Sequence, residues 1–205
     1  METNLTPQAG RILDCAQALI AAGGYNGFSY ADISAQVGIT KASIHHHFPK
    51  KSDLVLTLVR RYRAAGAEGM AALAANGMGP RACLEAYIGW WAACIRDGTM
   101  PICICAMLAA ETPALPADVA EEVRLHFTGL SAWLEGVLAK GASSRAFRLH
   151  GGPAAEAQAL MATVHGAMIS ARAYGDPAIF DAVAGPLVER LAAPHPQKPA
   201  PGRKT

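Results

Sequence analysis

The chain has 205 residues, 52% of them hydrophobic and 17% charged, with 18 Lys and Arg against 16 Asp and Glu for a formal charge of +2. That is enough chain for one or two compact domains with a sizeable core, and the composition excludes disorder for most of its length. No apolar run approaches the roughly 18 residues that span a membrane, and the first 30 residues carry Glu2 and Asp14 without a basic-then-apolar leader. No membrane partner is expected, and the cytoplasm is the expected compartment. Five cysteines, an odd number, favour reduced thiols over a disulfide framework.

Apolar spacing is helical throughout, with no strand alternation, so the expected class is all-α. The first helix opens at Pro7 behind a Thr6 cap, carries Ile12, Leu13, Ala16, Leu19 and Ile20 on one face, and stops at Gly23-Gly24. Between Phe28 and Ser52 helix starts follow in quick succession. Ser29 and Asp32 have capping-box spacing with Phe28 and Ile33 as a hydrophobic staple; Thr40 caps the next helix, with Ile39 and Ile44 repeating the staple. Val37-Gly38-Ile39 supplies a tight turn between them. Two short helices joined in about three residues form a helix-turn-helix, whose second helix can enter a DNA major groove. Ser52 reads as the cap of the helix after it. Later helices are expected near 53–75, 80–96, 101–112, 117–139, 153–174 and 177–192, and the Pro-rich segment 193–205 reads as a disordered tail.

Charge is unevenly spread along this order. Residues 1–63 hold seven Lys and Arg against four acids; residues 64–192 hold eight against twelve; the last thirteen hold Lys198, Arg203 and Lys204. The basic first third suits an anionic partner such as a phosphate backbone. Advancing about 100° per residue from Ile44 turns Phe48 and His47 inward and Ala42, Ser43, His45 and His46 outward. Lys41, Lys50 and Lys51 flank that face as phosphate-gripping cations, near a helix start whose free N–H groups attract anions. His45, His46 and His47 point about 100° apart and cannot converge on one ion, so no metal is expected there.

The run Phe28-Ser29-Tyr30-Ala31-Asp32-Ile33-Ser34-Ala35-Gln36-Val37-Gly38-Ile39-Thr40-Lys41-Ala42-Ser43-Ile44-His45-His46-His47-Phe48-Pro49-Lys50-Lys51 closely resembles the DNA-binding signature of the tetracycline-repressor-like (TetR) transcriptional regulators. The resemblance implies a three-helix DNA-binding domain in residues 1–51, carrying Ser29, Thr40, Lys41, Ala42, Ser43, His45, His46, Lys50 and Lys51 toward DNA. It implies a larger helical effector-binding and dimerisation domain in 52–192, and a homodimer on a palindromic double-stranded operator, released by a small molecule. The family usually has tyrosine where this chain has His45, so a phenolic phosphate contact is replaced by an imidazole one.

In the larger region, Phe180, Val183, Leu187 and Leu191 form a stripe, and Ala155, Ala159, Ala162, Gly166 and Ala167 permit close helix approach; dimerisation is therefore expected through residues 153–192. Tyr87, Trp90, Trp91 and Cys94 on one helix and Met161, His165 and Met168 on another are candidates to line a pocket for an apolar or aromatic effector, although the same stripes serve as plain core. Cys103 and Cys105 are an alternative sensor of oxidants or electrophiles, since a thiolate near a helix start is favoured. Two residues apart on a helix, they should diverge by about 200° and not bond each other. The chain lacks Glu-x-x-His pairs, His-Glu-x-x-His, phosphate-loop and dinucleotide signatures, so neither an enzyme nor a cofactor is expected.

Overall fold

The computed structural model describes residues 5–192 and is helical, with one isolated bridge between Phe147 and Ala192. The expected tail at 193–205 lies outside the described residues. Helix α1 (Pro7–Gly23) is capped by Thr6, whose hydroxyl accepts from Ala9 N–H. Helices α2 (Tyr30–Val37) and α3 (Lys41–His47) meet at Gly38, which takes a left-handed φ of 72°. The Ser29–Asp32 capping box forms, and the Thr40 hydroxyl accepts from Ser43 N–H at 3.2 Å. Ile12, Leu13, Ile20, Ile33 and Ile44 are fully buried between α1, α2 and α3 and the helix that follows.

That helix, α4 (Lys51–Ala75), begins two residues before the expected start. Lys50, and not Ser52, is the capping position, because the Asp53 carboxylate accepts Lys50 N–H at 3.0 Å and so pulls the first turn forward. Helix α5 (Pro80–Asp97) follows, then α6 (Ile104–Ala110), a 3-10 turn at Thr112–Ala114, α7 (Ala117–Ser143) and α8 (Pro153–Tyr174). Helix α6 starts at Ile104 instead of Pro101: Cys103 stays extended as its capping residue. The single helix expected at 177–192 is two, α9 (Ala178–Ala184) and α10 (Leu187–Leu191). Pro186 offers no N–H to the preceding turn, so the helix breaks at Gly185-Pro186.

Helices α4 to α10 form the second, larger bundle, with α7 packed against α4, α5, α6 and α8. Besides the contacts of α4 itself, two polar clamps hold it to the first three helices. The Glu111 carboxylate, at the end of α6, accepts from Tyr25 N–H at 2.8 Å and from the Asn26 N–H and side-chain amide at 3.3 Å. The Arg172 guanidinium, near the end of α8, donates to the carbonyls of Ala21 and Ala22. Those carbonyls belong to the last turn of α1, where the helix dipole favours a cation. Gly24 makes the first clamp possible: it has φ 75° and ψ −168°, and a Cβ there would sit 1.7 Å from Glu111 Oε1. Among the described residues no helix is long and apolar enough to cross a membrane.

Candidate functional site

Helix α3 presents Lys41, Ala42, His45 and His46 to solvent, with Ile44 and Phe48 buried beneath. Thr40 and Ser29 are exposed at the two helix starts, and Lys50 is exposed beyond α3. Two of the expected contacts are placed differently. Ser43 is half-buried, and its hydroxyl oxygen accepts from Gln8 Nε2 at 3.0 Å, which ties α3 to α1. Lys51 turns inward: its ammonium donates to the Phe28 carbonyl and lies 4.0 Å from the Phe28 ring centre and 5.0 Å from that of Tyr25. Burial lowers the pKa of that ammonium, partly offset by Glu111 and Asp32. Lys51 therefore braces the loop before α2 more than it offers a free charge.

The basic excess of the first third is also partly spent inside the protein. Arg60 and Arg63 reach the buried carboxylate of Glu122 on α7 at 2.8 and 2.9 Å, and Arg61 pairs with Asp14 at 2.7 Å. What remains free on the α3 side is Lys41 and Lys50. His45 Nδ1 sits 3.2 Å from the Pro49 carbonyl, which can only accept, so Nδ1 carries the proton. In a neutral ring Nε2 is then a bare acceptor. Tyr30 packs edge-on to that imidazole at 4.8 Å and donates its hydroxyl to the Phe48 carbonyl at 2.8 Å; burial pushes the Tyr30 phenol up to about 12.

The expected effector residues separate into two groups. Tyr87, Trp91, Met161, His165 and Met168 are buried, while Trp90 is half exposed and Cys94 is intermediate. Trp90 falls on the outer side of α5, one step of about 100° from Trp91, so it belongs to the surface and not to the interior set. Met161, with Phe127, lines an open groove of about 850 Å³ along α7 and α8.

The interior holds a polar cluster centred on Cys103. Its sulfur lies 3.7 Å from His126 Nε2, and the donor atoms of Cys103, Cys105 and His126 all fall within 4.8 Å of one another. The expected divergence of the two cysteines does not occur, because Cys103 precedes the first helical residue and its backbone is extended, with φ −64° and ψ 121°. Both thiols are free and fully buried. Burial alone would raise the Cys103 thiol, but the neighbouring Cys105 thiol and the His126 and His165 rings outweigh it and hold the thiol well below its usual range. Cys105 moves the other way, raised by its hydrogen bond to Cys103 and by burial. Burial raises the phenols of Tyr62 and Tyr87, with the Cys103 sulfur adding to both shifts. Tyr87 OH and His165 Nε2 are buried without a hydrogen-bond partner. Sequence reasoning missed Tyr62, Glu122 and His126, which stand on α4 and α7. No local pattern marks them, because their partners are 23 to 62 residues away in the chain.

A helix-turn-helix with an outward second helix, set on a larger helical bundle by two polar clamps, defines a DNA-binding transcriptional regulator. Residues 12–58 match the family of bacterial regulatory proteins, tetR family. Among solved structures the chain is similar to a TetR-family transcriptional regulator from Agrobacterium tumefaciens, at 54% identity over 91% of this chain and 98% of that one, with a TM-score of 0.88. It is also similar to a TetR transcriptional regulator from Legionella pneumophila, at 25% identity over 92% of this chain and 100% of that one, with a TM-score of 0.81. No curated protein matches it. The chain belongs to the TetR family of transcriptional regulators.

Proposed function

We propose that this protein is a cytoplasmic repressor that binds a palindromic operator as a homodimer and leaves it when a small apolar or aromatic molecule enters the bundle of α5, α7 and α8. Carrying this reading is the exposed face of α3. Lys41 and Lys50 hold the phosphate backbone, Ser29 and Thr40 flank it at the two helix starts, and Ala42, His45 and His46 meet base edges and sugar-phosphate, while Ser43 ties α3 to α1. Lys51 contributes by fixing the loop.

Dimerisation uses the outer face of α8, where Ala155, Ala159, Ala162, Gly166 and Ile169 recur at three- and four-residue steps and are all exposed. The stripe on the last two helices contributes less than its spacing suggests, since Phe180 and Leu191 are buried within one subunit and only Val183 is exposed. Tyr87, Trp91, Met161, His165 and Met168 line the effector site, with the unpartnered Tyr87 hydroxyl and His165 Nε2 as its polar handles. An effector that prefers one spacing of the two DNA-binding heads shifts the equilibrium by its differential affinity. Movement of α6 or α8 reaches α1 through Glu111 and Arg172.

Thermal-shift screening with apolar and aromatic compounds, followed by operator release, tests the effector reading. A hit must raise the melting temperature in the wild type and do less when Tyr87→Phe and His165→Ala remove the polar handles. If every compound that releases operator leaves the melting temperature unmoved, the reading fails.

A second reading is favoured by the closeness of the Cys103 and Cys105 sulfurs. A peroxide converts the Cys103 thiolate to a sulfenic acid, and Cys105 displaces water from it to close a disulfide. Peroxide-driven operator release that survives Cys103→Ser with Cys105→Ser removes this reading.

A further inference from the structure

We infer that Cys103, Cys105 and His126 form a binding site for a thiophilic metal ion of the zinc(II) class, buried between the start of α6 and the middle of α7. This goes beyond the proposed regulation and does not depend on it.

Three lines of argument support the site. Tetrahedral zinc with sulfur ligands at about 2.3 Å and nitrogen at about 2.0 Å sets neighbouring donor atoms roughly 3.6 to 3.8 Å apart. Cys103 Sγ and His126 Nε2 are 3.7 Å apart, and every pair in the trio is within 4.8 Å, so an ion closes the set with movements of an ångström or less. The local backbone explains the convergence. Cys103 is extended and Cys105 is the second residue of α6, which turns both sulfurs toward the same side. His126 comes from α7, which packs on α6, so the ligands span two elements that the fold already holds together.

The third line is chemical. Two thiols and an imidazole sit in the interior, with the cysteines fully buried, among Tyr62, Tyr87 and Phe127. As thiolates the two cysteines neutralise a divalent ion, which removes the cost of a bare charge in that environment. The donor set is soft, which disfavours magnesium and calcium. These three residues supply the protein donors, which leaves the fourth position of a tetrahedral ion to water or another small ligand.

Purified full-length protein, reduced and handled without oxygen, is dialysed against zinc and then against metal-free buffer, and its metal content is measured by plasma mass spectrometry. One zinc per chain is expected. Cobalt(II) in place of zinc should give thiolate-to-metal charge transfer and the intense visible bands of tetrahedral coordination. Cys103→Ser, Cys105→Ser and His126→Ala should each weaken zinc binding by at least roughly 100-fold, since loss of a supporting second-layer partner already costs about 10- to 100-fold. Cys15→Ser, at a half-exposed thiol on α1, should change nothing. Circular dichroism checks that each variant remains folded; if a cysteine variant is unfolded, His126→Gln, which keeps both thiols, decides. Substoichiometric metal without thiolate charge transfer overturns the inference, as does full retention of metal in the folded Cys103→Ser protein. A Cys103–Cys105 disulfide that forms in zinc-loaded protein as fast as in metal-free protein also overturns it. Metal content is read without DNA, so failure here leaves the operator reading intact, and failure to bind DNA leaves the metal site intact.

Discussion

Removing the Glu111 side chain should loosen the join between the two bundles by an amount that Gly24 reveals. In Glu111→Ala, Tyr25 N–H loses its 2.8 Å partner, and the exposed Asn26 loses two longer bonds that water replaces. A hydrogen bond to a charged group contributes about 1.5 to 3 kcal/mol, and the exposed pair adds little, so the total is about 2 kcal/mol. For a chain of this length that corresponds to about 4 to 8 °C in melting temperature. Gly24→Ala carries two costs: a backbone conformation open almost only to glycine, at about 1 to 3 kcal/mol, and a Cβ placed on Glu111 Oε1 that expels the carboxylate. It should therefore lose about 3 to 5 kcal/mol, the clamp included. The double variant loses the clamp only once, so it should be no less stable than Gly24→Ala alone. Urea or thermal unfolding of the four proteins gives the coupling directly, with about 2 kcal/mol of non-additivity expected. Strict additivity refutes the clamp. Under the proposed coupling, Glu111→Ala should also blunt effector-driven operator release while leaving effector affinity within a few-fold.

His45 ties the end of α3 to the Pro49 carbonyl through Nδ1 and presents the rest of its ring to solvent; His45→Ala should weaken operator binding several-fold at fixed pH and salt, and unchanged affinity would show that the ring takes no part. Lys41→Ala and Lys50→Ala should each weaken binding across all sequences and reduce the salt slope by about 0.9, read by fluorescence anisotropy across a salt series. Lys51→Ala should lower the melting temperature more than it lowers DNA affinity, and a salt-slope change equal to that of Lys41→Ala would show that its ammonium faces DNA instead. Ala162→Glu, which places a charge on the exposed small face of α8, should give a folded monomer in sedimentation; a dimer of unchanged strength would place the interface elsewhere.

Local signals carried most of the fold. Caps at Thr6, Ser29 and Thr40, glycine stops and helical periodicity are written in neighbouring residues, and α1 to α3 and the two sides of α3, Ser43 excepted, are legible from them. Where two local signals competed, the reading slipped: Asp53 outranked Ser52 at the start of α4, and Pro186 split the last helix although the apolar stripe runs through it. The extended backbone at Cys103 reversed the inference drawn from helical angles, and with it the relation of the two cysteines. Non-local pairings left no mark in the sequence. Nothing near Glu122 announces two arginines from α4, nothing near His126 announces Cys103, and the summed charge of the first third does not tell which cations face inward. Tyr87 and His165 were singled out by helical spacing alone; that both would be buried without a hydrogen-bond partner could be seen only once the helices were packed.

The central claim is that α3 reads DNA. Purified protein should be incubated with fragments of its own genome at physiological salt, the bound fragments sequenced, and the enriched site titrated by anisotropy. The account predicts a palindromic site bound with a dissociation constant on the order of 10⁻⁸ M or below, at least about 10³-fold tighter than random DNA, with that preference lost in His46→Ala combined with Lys41→Ala while the melting temperature is unchanged. Enrichment of no sequence over competitor, or a preference that survives those substitutions, would contradict it.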